Sequence, residues 1–207
     1  MDCVLIQANG DNVRLGSFFK QPKYELYYKG KKIIEHIIEN AKKTGKDVYV
    51  ALRKNTKINF DTENINIIFC DKTNTRFETL KQCFNHLNYY ESVIIHDCDV
   101  IIKDNILKKL NDNSLVVTHY KMDGLKYGFV DLDEDFKYIL GNEKKVEKNY
   151  ITIGAYSVKT NDFVNFLNFN NSDSLLEYYN TDITKSVFLS KEHINLGDIE
   201  SYFKNLW

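Results

Sequence analysis

The stretch QANGDNVRLGSFFKQPK, residues 7–23, decides the reading of the fold, and it follows directly on the apolar run CVLI at residues 3–6. It contains the chain's only proline, Pro22, with Lys23 beside it and Arg14 earlier in the loop. A short continuous apolar run of this kind fits a strand covered on both faces. In an open parallel sheet, ligands bind at the carboxyl ends of such strands. Gly10 lets backbone amides come close to a phosphate, and Asn12 tolerates a left-handed conformation better than most side chains. Arg14 can fork onto phosphate oxygens, whereas Lys23 acts as a compact point charge. Pro22 restricts the backbone ahead of Lys23 and so lowers the entropy lost in placing its amine. The loop matches neither the Walker A nor the dinucleotide-binding glycine pattern. Two readings stand at this point: a loop that holds two cations in a fixed geometry, or an ordinary surface turn.

Outward from that loop, strand and helix patterns alternate. KKIIEHIIENAKKTG carries Ile33, Ile34, Ile37, Ile38 and Ala41 on one helical face, and Gly45 is a natural stop. DVYVAL and INIIFC read as strands, and TRFETLKQCFNHL as a helix with Phe77, Leu80, Phe84 and Leu87 at helical spacing. SVIIH is a further buried strand, NILKKL a short helix and LVVTHY a strand. This order predicts a parallel sheet with right-handed crossovers up to about residue 118. Beyond it, KYGFVDLDEDFKYIL reads as two strands joined by an acidic turn, and NYITIGAYSV as a strand. NDFVNFL, SLLEYYNTDITKSVF and IESYFKNLW read as helices. The Asn-rich NFNNSDS is a loop, too short to divide domains, so one domain over 1–207 is expected.

Composition narrows the function classes. The 207 residues suit one domain with a sizeable core. Formal net charge is -1, which argues against a bulk electrostatic grip on nucleic acid. MDCVLIQANG lacks the pattern of a signal peptide, and no apolar run approaches the ~20 residues that span a bilayer. A cytoplasmic protein without membrane or nucleic-acid partners is expected. Cys3, Cys70, Cys83 and Cys98 form no C-x-x-C pair and read as reduced, mostly buried residues. The five histidines show no zinc-ligand spacing, and His96 beside Asp97 reads as structural.

A second loop, HDCDVII, closes the strand SVIIH. Asp97 and Asp99 flank Cys98 there, and two neighbouring carboxylates repel each other unless a cation intervenes. Mg²⁺ takes one or two carboxylates and completes its octahedron with water and phosphate oxygens. The competing reading is a solvated turn in which Asp99 caps a helix.

Taken together and in order, these segments resemble the nucleotidyltransferases that attach an NMP to a sugar phosphate or phospho-alcohol. The family's opening motif is roughly L-A-A-G-x-G-x-R-L, a spacer, then P-K. Ala8, Gly10, Arg14, Leu15, Pro22 and Lys23 match it, while Gln7, Asn9 and Asn12 depart from it. YYKGKKIIEHIIENAKKTG resembles the turn and first long helix. SVIIHDCDVII resembles the strand ending in G-D or D-x-D, KYGFVDLD the Y-G-x-V segment, NEKKVEKNYITIGAYSV the E-K-P and I-G-x-Y segments, and INLGDIESYF the D-I-G-T-P-E-x-Y segment. TRFETLKQCF with VIIHD is further similar to a segment of the methylerythritol-phosphate cytidylyltransferases. DKTNTRF lacks the glycine usual in the base-binding segment.

The resemblance implies a Rossmann-like, GT-A-type α/β fold with a mixed, mostly parallel central sheet flanked by helices, in a small form without a β-helix domain. It implies transfer of an NMP, from CTP in preference, with release of pyrophosphate, in surface polysaccharide (capsule) synthesis. Arg14 and Lys23 would be catalytic, and Ala8, Asn9, Gly10 and Asp97 would bind nucleotide. Gly128, Glu143, Lys144 and Gly154 would bind the acceptor. Asp99, with Asp198 or Asn195, would bind Mg²⁺; Asn195 falls where the family has its second metal-binding Asp. The partners are an NTP and a phosphorylated small molecule, and the oligomeric state is left open. A non-catalytic nucleotide-binding homologue and a glycosyltransferase using Asp97 and Asp99 on a nucleotide sugar are the rival readings. Replacing Lys23 is expected to leave the fold intact, as for a lysine in a polar loop.

Overall fold

The computed structural model describes residues 1–10, 19, 21–119, 129–132, 138–141, 150–170, 175–181 and 183–206. Thirteen strands and five α-helices are assigned among them. The opening strand β1 (Asp2–Gln7) alternates its side chains between two cores. Val4 and Ile6 face the layer built on α1 (Ile33–Lys42); Cys3 and Leu5 face the layer of α2 (Arg76–Leu87) and α3 (Thr160–Phe169). All four are fully buried, as expected for a strand sandwiched between helices.

β1 pairs in parallel with β4 (Asp47–Arg53) on one side and with β6 (Ser92–Asp97) on the other. β4 pairs in parallel with β5 (Asn66–Cys70). The chain thus runs outward from β1 to β5 and then returns through α2 to β1's other edge. That reversal is a topological switch, and it opens a crevice beyond the carboxyl ends of β1 and β6. β11 (Tyr150–Lys159) lies antiparallel to β6 and to β8 (Ser114–His119), with a register shift between Thr152 and Tyr156. β12 (Ser186–Leu189) adds in parallel to β8, and β9 (Phe129–Leu132) and β10 (Tyr138–Gly141) extend the sheet beside the start of β11. The mixed nine-stranded sheet fulfils the expected fold class.

Local chemistry explains where the flanking helices begin. Thr75 caps α2 by accepting from the Glu78 amide at 3.2 Å, and Glu78 accepts from the Asn74 amide at 2.8 Å. These contacts satisfy amides that an uncapped helix start leaves open. Glu35 accepts from the Lys32 amide at 2.8 Å at the start of α1. Phe77 and Phe84 of α2 meet Phe163 and Phe166 of α3 with ring centroids 5.0–6.4 Å apart, holding the two helices together.

Three expectations need correction. β8 does not continue the parallel run from β6, because β11 is inserted between them antiparallel to both. SLLEYYNTDITKSVF is not one helix: α4 (Leu175–Tyr179) ends early and β12 follows. Lys185 Nζ and Thr181 Oγ1 take the Tyr179 and Tyr178 carbonyls, closing α4, and the Tyr179 hydroxyl donates to the Ser114 and Ser157 carbonyls. The segment after Asp99 is a short strand, β7 (Val100–Ile102), paired with β13 (His193–Asn195); NILKKL does form the short helix expected of it, a 3-10 helix over Asn105–Lys109. A further hairpin of β2 (Tyr27–Tyr28) and β3 (Lys31–Lys32) turns through Lys29 and Gly30, both at positive φ. No helix among the described residues is long and apolar enough to cross a membrane.

Candidate active site

The crevice at the switch point is a cleft of about 380 Å³, lined among others by Ala8, Asn9, Gly10, Lys23, Asp97 and Asp99. Six of the residues singled out in the sequence therefore converge here. Arg14, Gly128, Glu143 and Lys144 lie outside the described residues.

The opening question about Pro22 is answered by backbone geometry. Pro22, at φ −59°, precedes a 3-10 turn over Lys23–Glu25, and the Glu25 amide donates to the Pro22 carbonyl at 3.0 Å. A fixed φ at this position sets the start of the turn and carries Lys23 inward. Lys23 Nζ donates to Asp99 Oδ2 at 3.1 Å and to the Gly197 carbonyl at 2.7 Å. Lys23 is 8% exposed and Asp99 9%. The surface-turn reading is thereby excluded for Lys23, and Asp99 leads into β7 rather than capping a helix. Lys23 is not the lysine of a polar surface loop that the expectation of an intact fold assumed, because it is half of a buried ion pair.

Asp97 and Asp99 take different cations. Asp97 Oδ1 accepts from Arg76 Nη2 at 2.5 Å, and Arg76 Nε donates to Gln7 Oε1 at 2.7 Å. The Arg76 guanidinium also lies over the Tyr156 ring, 5.4 Å from its centroid. Burial pulls the Arg76 pKa down, but Asp97, with help from Tyr156 and Asp99, more than offsets this and the net shift is upward. Gly154 sits against Asp97: at φ +75°, a Cβ there would stand 2.7 Å from Asp97 Oδ2. His96 is buried with Nδ1 2.7 Å from the Asp97 carbonyl, and burial lowers its pKa to about 4. Burial, with Asp99 adding to it, pushes the Cys98 thiol up, so Cys98 stays protonated. His96 and Cys98 are therefore neutral framework at neutral pH.

The C-terminal candidates separate cleanly. Asp198 caps α5 (Ile199–Leu206): Oδ1 accepts from the Ser201 amide at 2.9 Å and Oδ2 from the Ser201 hydroxyl at 3.0 Å. Asn195 lies with Asp99. A Cβ on Gly197 would stand 2.7 Å from Asp99 Oδ2 and 3.1 Å from Asn195 Oδ1; both oxygens lie beside Gly197, Asn195 Oδ1 accepting from its amide at 2.8 Å and Asp99 Oδ2 from Lys23. The β13–β7 pairing and the Leu196 amide, which donates to the Asp99 carbonyl at 2.8 Å, hold this arrangement. One carboxylate and one amide oxygen are hard donors and fit Mg²⁺, which characteristically relies on few protein ligands and on substrate phosphates. No cluster of three or more His, Cys, Asp or Glu side chains suited to a metal occurs among the described residues.

Sequence reasoning missed Arg76, Gln7, Thr79 and Gly197. In the sequence TRFET reads only as a helix start and a family likeness. Arg76 and Thr79 of this segment lie on the cleft wall. The i, i+3 spacing of Arg76 and Thr79 on a capped helix was the available signal.

No protein-family model matches the sequence, and no curated protein sequence matches it. Solved structures do match over almost the whole chain. One is a Bacillus anthracis protein described as a glucose-1-phosphate thymidylyltransferase, in complex with sucrose: TM-score 0.82, 14% identity, 99% of this chain and 94% of that one. Another is UTP-bound UGPase from Acinetobacter baumannii: TM-score 0.80, 12% identity, 100% and 92%. A third is HddC from Yersinia pseudotuberculosis: TM-score 0.73, 18% identity, 99% and 97%. The chain therefore has the Rossmann-like α/β fold seen in sugar-phosphate nucleotidyltransferases.

Proposed function

We propose that the protein transfers an NMP from an NTP to the phosphate of a sugar phosphate or phospho-alcohol and releases pyrophosphate. The observation that carries this reading is the meeting of Lys23, Asp99 and the Ala8–Gly10 segment in one cleft at the sheet's switch point. An acceptor phosphate oxygen attacks the α-phosphorus in line. The new P–O bond forms as the bond to the β-phosphate breaks, and the electron pair leaves with pyrophosphate. Such transfer needs positioning and charge stabilisation rather than covalent catalysis.

Each residue then has a task. The Ala8–Gly10 segment holds the nucleotide. The ammonium of Lys23, already aimed into the cleft, exchanges its contacts to Asp99 and Gly197 for phosphoryl oxygens, with Arg14 as the second cation. Arg76 and Gly154 fix Asp97 on the cleft wall. Gly128, Glu143, Lys144 and Gly154 receive the acceptor. Asp99 and Asn195 would hold Mg²⁺, which when bound neutralises charge on the phosphate oxygens. CTP is the favoured donor through the TRFET likeness, and surface polysaccharide precursors are the favoured acceptors.

Asn195 supports one rival, a nucleotide-binding homologue without turnover, because it offers an amide where a second carboxylate would hold metal more strongly. Incubating the protein with each NTP, Mg²⁺ and a panel of sugar phosphates and phospho-alcohols separates the two. Pyrophosphate and a nucleotidylated product support transfer; nucleotide binding without either product supports the rival.

A further inference from the structure

Cys70 ends β5, the edge strand of the parallel half of the sheet, and Cys83 lies on the buried face of α2. Both side chains are buried, and their Sγ atoms stand 3.6 Å apart. Sulfurs in a disulfide stand about 2 Å apart, so the two must close by about 1.6 Å to bond. Their shared hydrogen bond holds the Cys70 thiol below the usual cysteine range and raises that of Cys83. Burial pushes Cys3 and Cys98 up instead. The thiolate is the reactive form, so Cys70 is the favoured nucleophile, even though Cys98 is the one cysteine not fully buried. The cover over the pair is thin. The Asp71 amide donates to Gln82 Oε1 at 2.8 Å in an exposed contact, between the residue after Cys70 and the residue before Cys83. Local opening at this sheet edge admits a molecule as small as a peroxide. Thr73, Asn74, Thr75, Arg76 and Thr79 all lie between the two cysteines in sequence, and all line the cleft.

We propose that Cys70 and Cys83 form a peroxide-sensitive dithiol site, whose disulfide staples the base of the cleft-wall segment 71–82. The Cys70 thiolate attacks one peroxide oxygen. The O–O bond breaks, Cys70 becomes a sulfenic acid, and the hydroxide that leaves takes up the proton Cys70 gave away. The Cys83 sulfur then attacks the Cys70 sulfur. The S–O bond breaks, and the departing hydroxide leaves as water with the Cys83 proton. Two thiols are oxidised to one disulfide while the peroxide is reduced to two waters. The bond closes a ring that spans 13 positions of sequence, and a ring of that size removes freedom chiefly from the unfolded chain. It ties β5 to α2 behind the cleft, so oxidation stiffens the wall that carries Arg76 and Thr79 without consuming any group that lines it.

Treating the folded, reduced protein with hydrogen peroxide, at an excess that fully oxidises free cysteine, tests this. Thiols are then counted in guanidinium and non-reduced peptides are mapped by mass spectrometry. The four free thiols should fall to two, with a single Cys70–Cys83 cross-linked peptide. The melting temperature should rise by about 5–10 °C, the scale of a ring this short, and dithiothreitol should reverse both changes. In Cys83→Ala, Cys70 should stop at the sulfenic acid and be trapped by dimedone; in Cys70→Ala, Cys83 should trap none. If either variant does not fold, the wild-type peptide map decides alone. Four thiols surviving the peroxide overturn the proposal. So does oxidation that falls on Cys98, or on Cys70 without a link to Cys83, and so does a disulfide between two copies of the chain. The result is independent of whether the protein transfers nucleotides, because no nucleotide is present.

Discussion

Lys23 Nζ, 3.1 Å from Asp99 Oδ2 and 2.7 Å from the Gly197 carbonyl, ties the first loop to the C-terminal segment across 174 positions of sequence. Lys23→Ala leaves the Asp99 carboxylate buried without its cation, which should cost about 3–5 kcal/mol in urea unfolding. Turnover of the folded fraction should fall about 100- to 1000-fold. Lys23→Arg should not restore it fully, because the guanidinium is larger and differently directed. The C-terminal pair makes the opposite contrast. Asp198→Ala removes the α5 cap, so it should lower stability by about 1 kcal/mol and leave Mg²⁺ affinity unchanged in a titration. Asn195→Asp adds a second carboxylate beside Asp99 and should tighten Mg²⁺. The sequence left these two residues undecided. Their separation of three positions is easily spanned by a loop, and only the β13–β7 pairing and the α5 cap assign them different partners.

At the scale of elements, glycine conformation decides how close β11 can come to the cleft. Gly154 lies at φ +75°, within the register shift of β11, and its missing side chain makes room for Asp97. Gly154→Ala should therefore both strain the backbone and push Asp97 from Arg76, with a loss of activity and a lowered melting temperature. Gly30→Ala, at φ +80° with open space around it, should cost only about 1 kcal/mol and spare activity. Most elements were legible because their apolar periodicity is strong: α1 buries all five of the residues singled out on its face. β12 was not. SVFL is short and follows the helical LLEYY closely, and its pairing with β8 is a long-range contact that no local period encodes. The cluster NTDITK between them was the unused break signal. β7 and β13 were missed for the same reason, each being three residues long.

For the whole molecule, stability and chemistry make separable demands. His96 is buried in the middle of the sheet with its pKa lowered from 6.5 to about 4. Below pH 6.5 the unfolded chain binds a proton that the folded chain refuses, so stability falls as pH drops through that window. The full effect is about 3 kcal/mol by pH 4, and His96→Asn should flatten that part of the urea-midpoint profile. The overall architecture was readable from the order of segments across the chain, since a strand–loop–helix alternation leaves few α/β topologies. The cleft's internal pairing was not, because it joins residues far apart in sequence. The most direct test of the central claim is pyrophosphate release with CTP, Mg²⁺ and a panel of sugar phosphates and phospho-alcohols, run on the wild type and on Asp99→Asn. The account predicts magnesium-dependent pyrophosphate, one nucleotidylated acceptor for each pyrophosphate, and neither product from Asp99→Asn. Tight nucleotide binding with no pyrophosphate from any NTP and acceptor pair would contradict it.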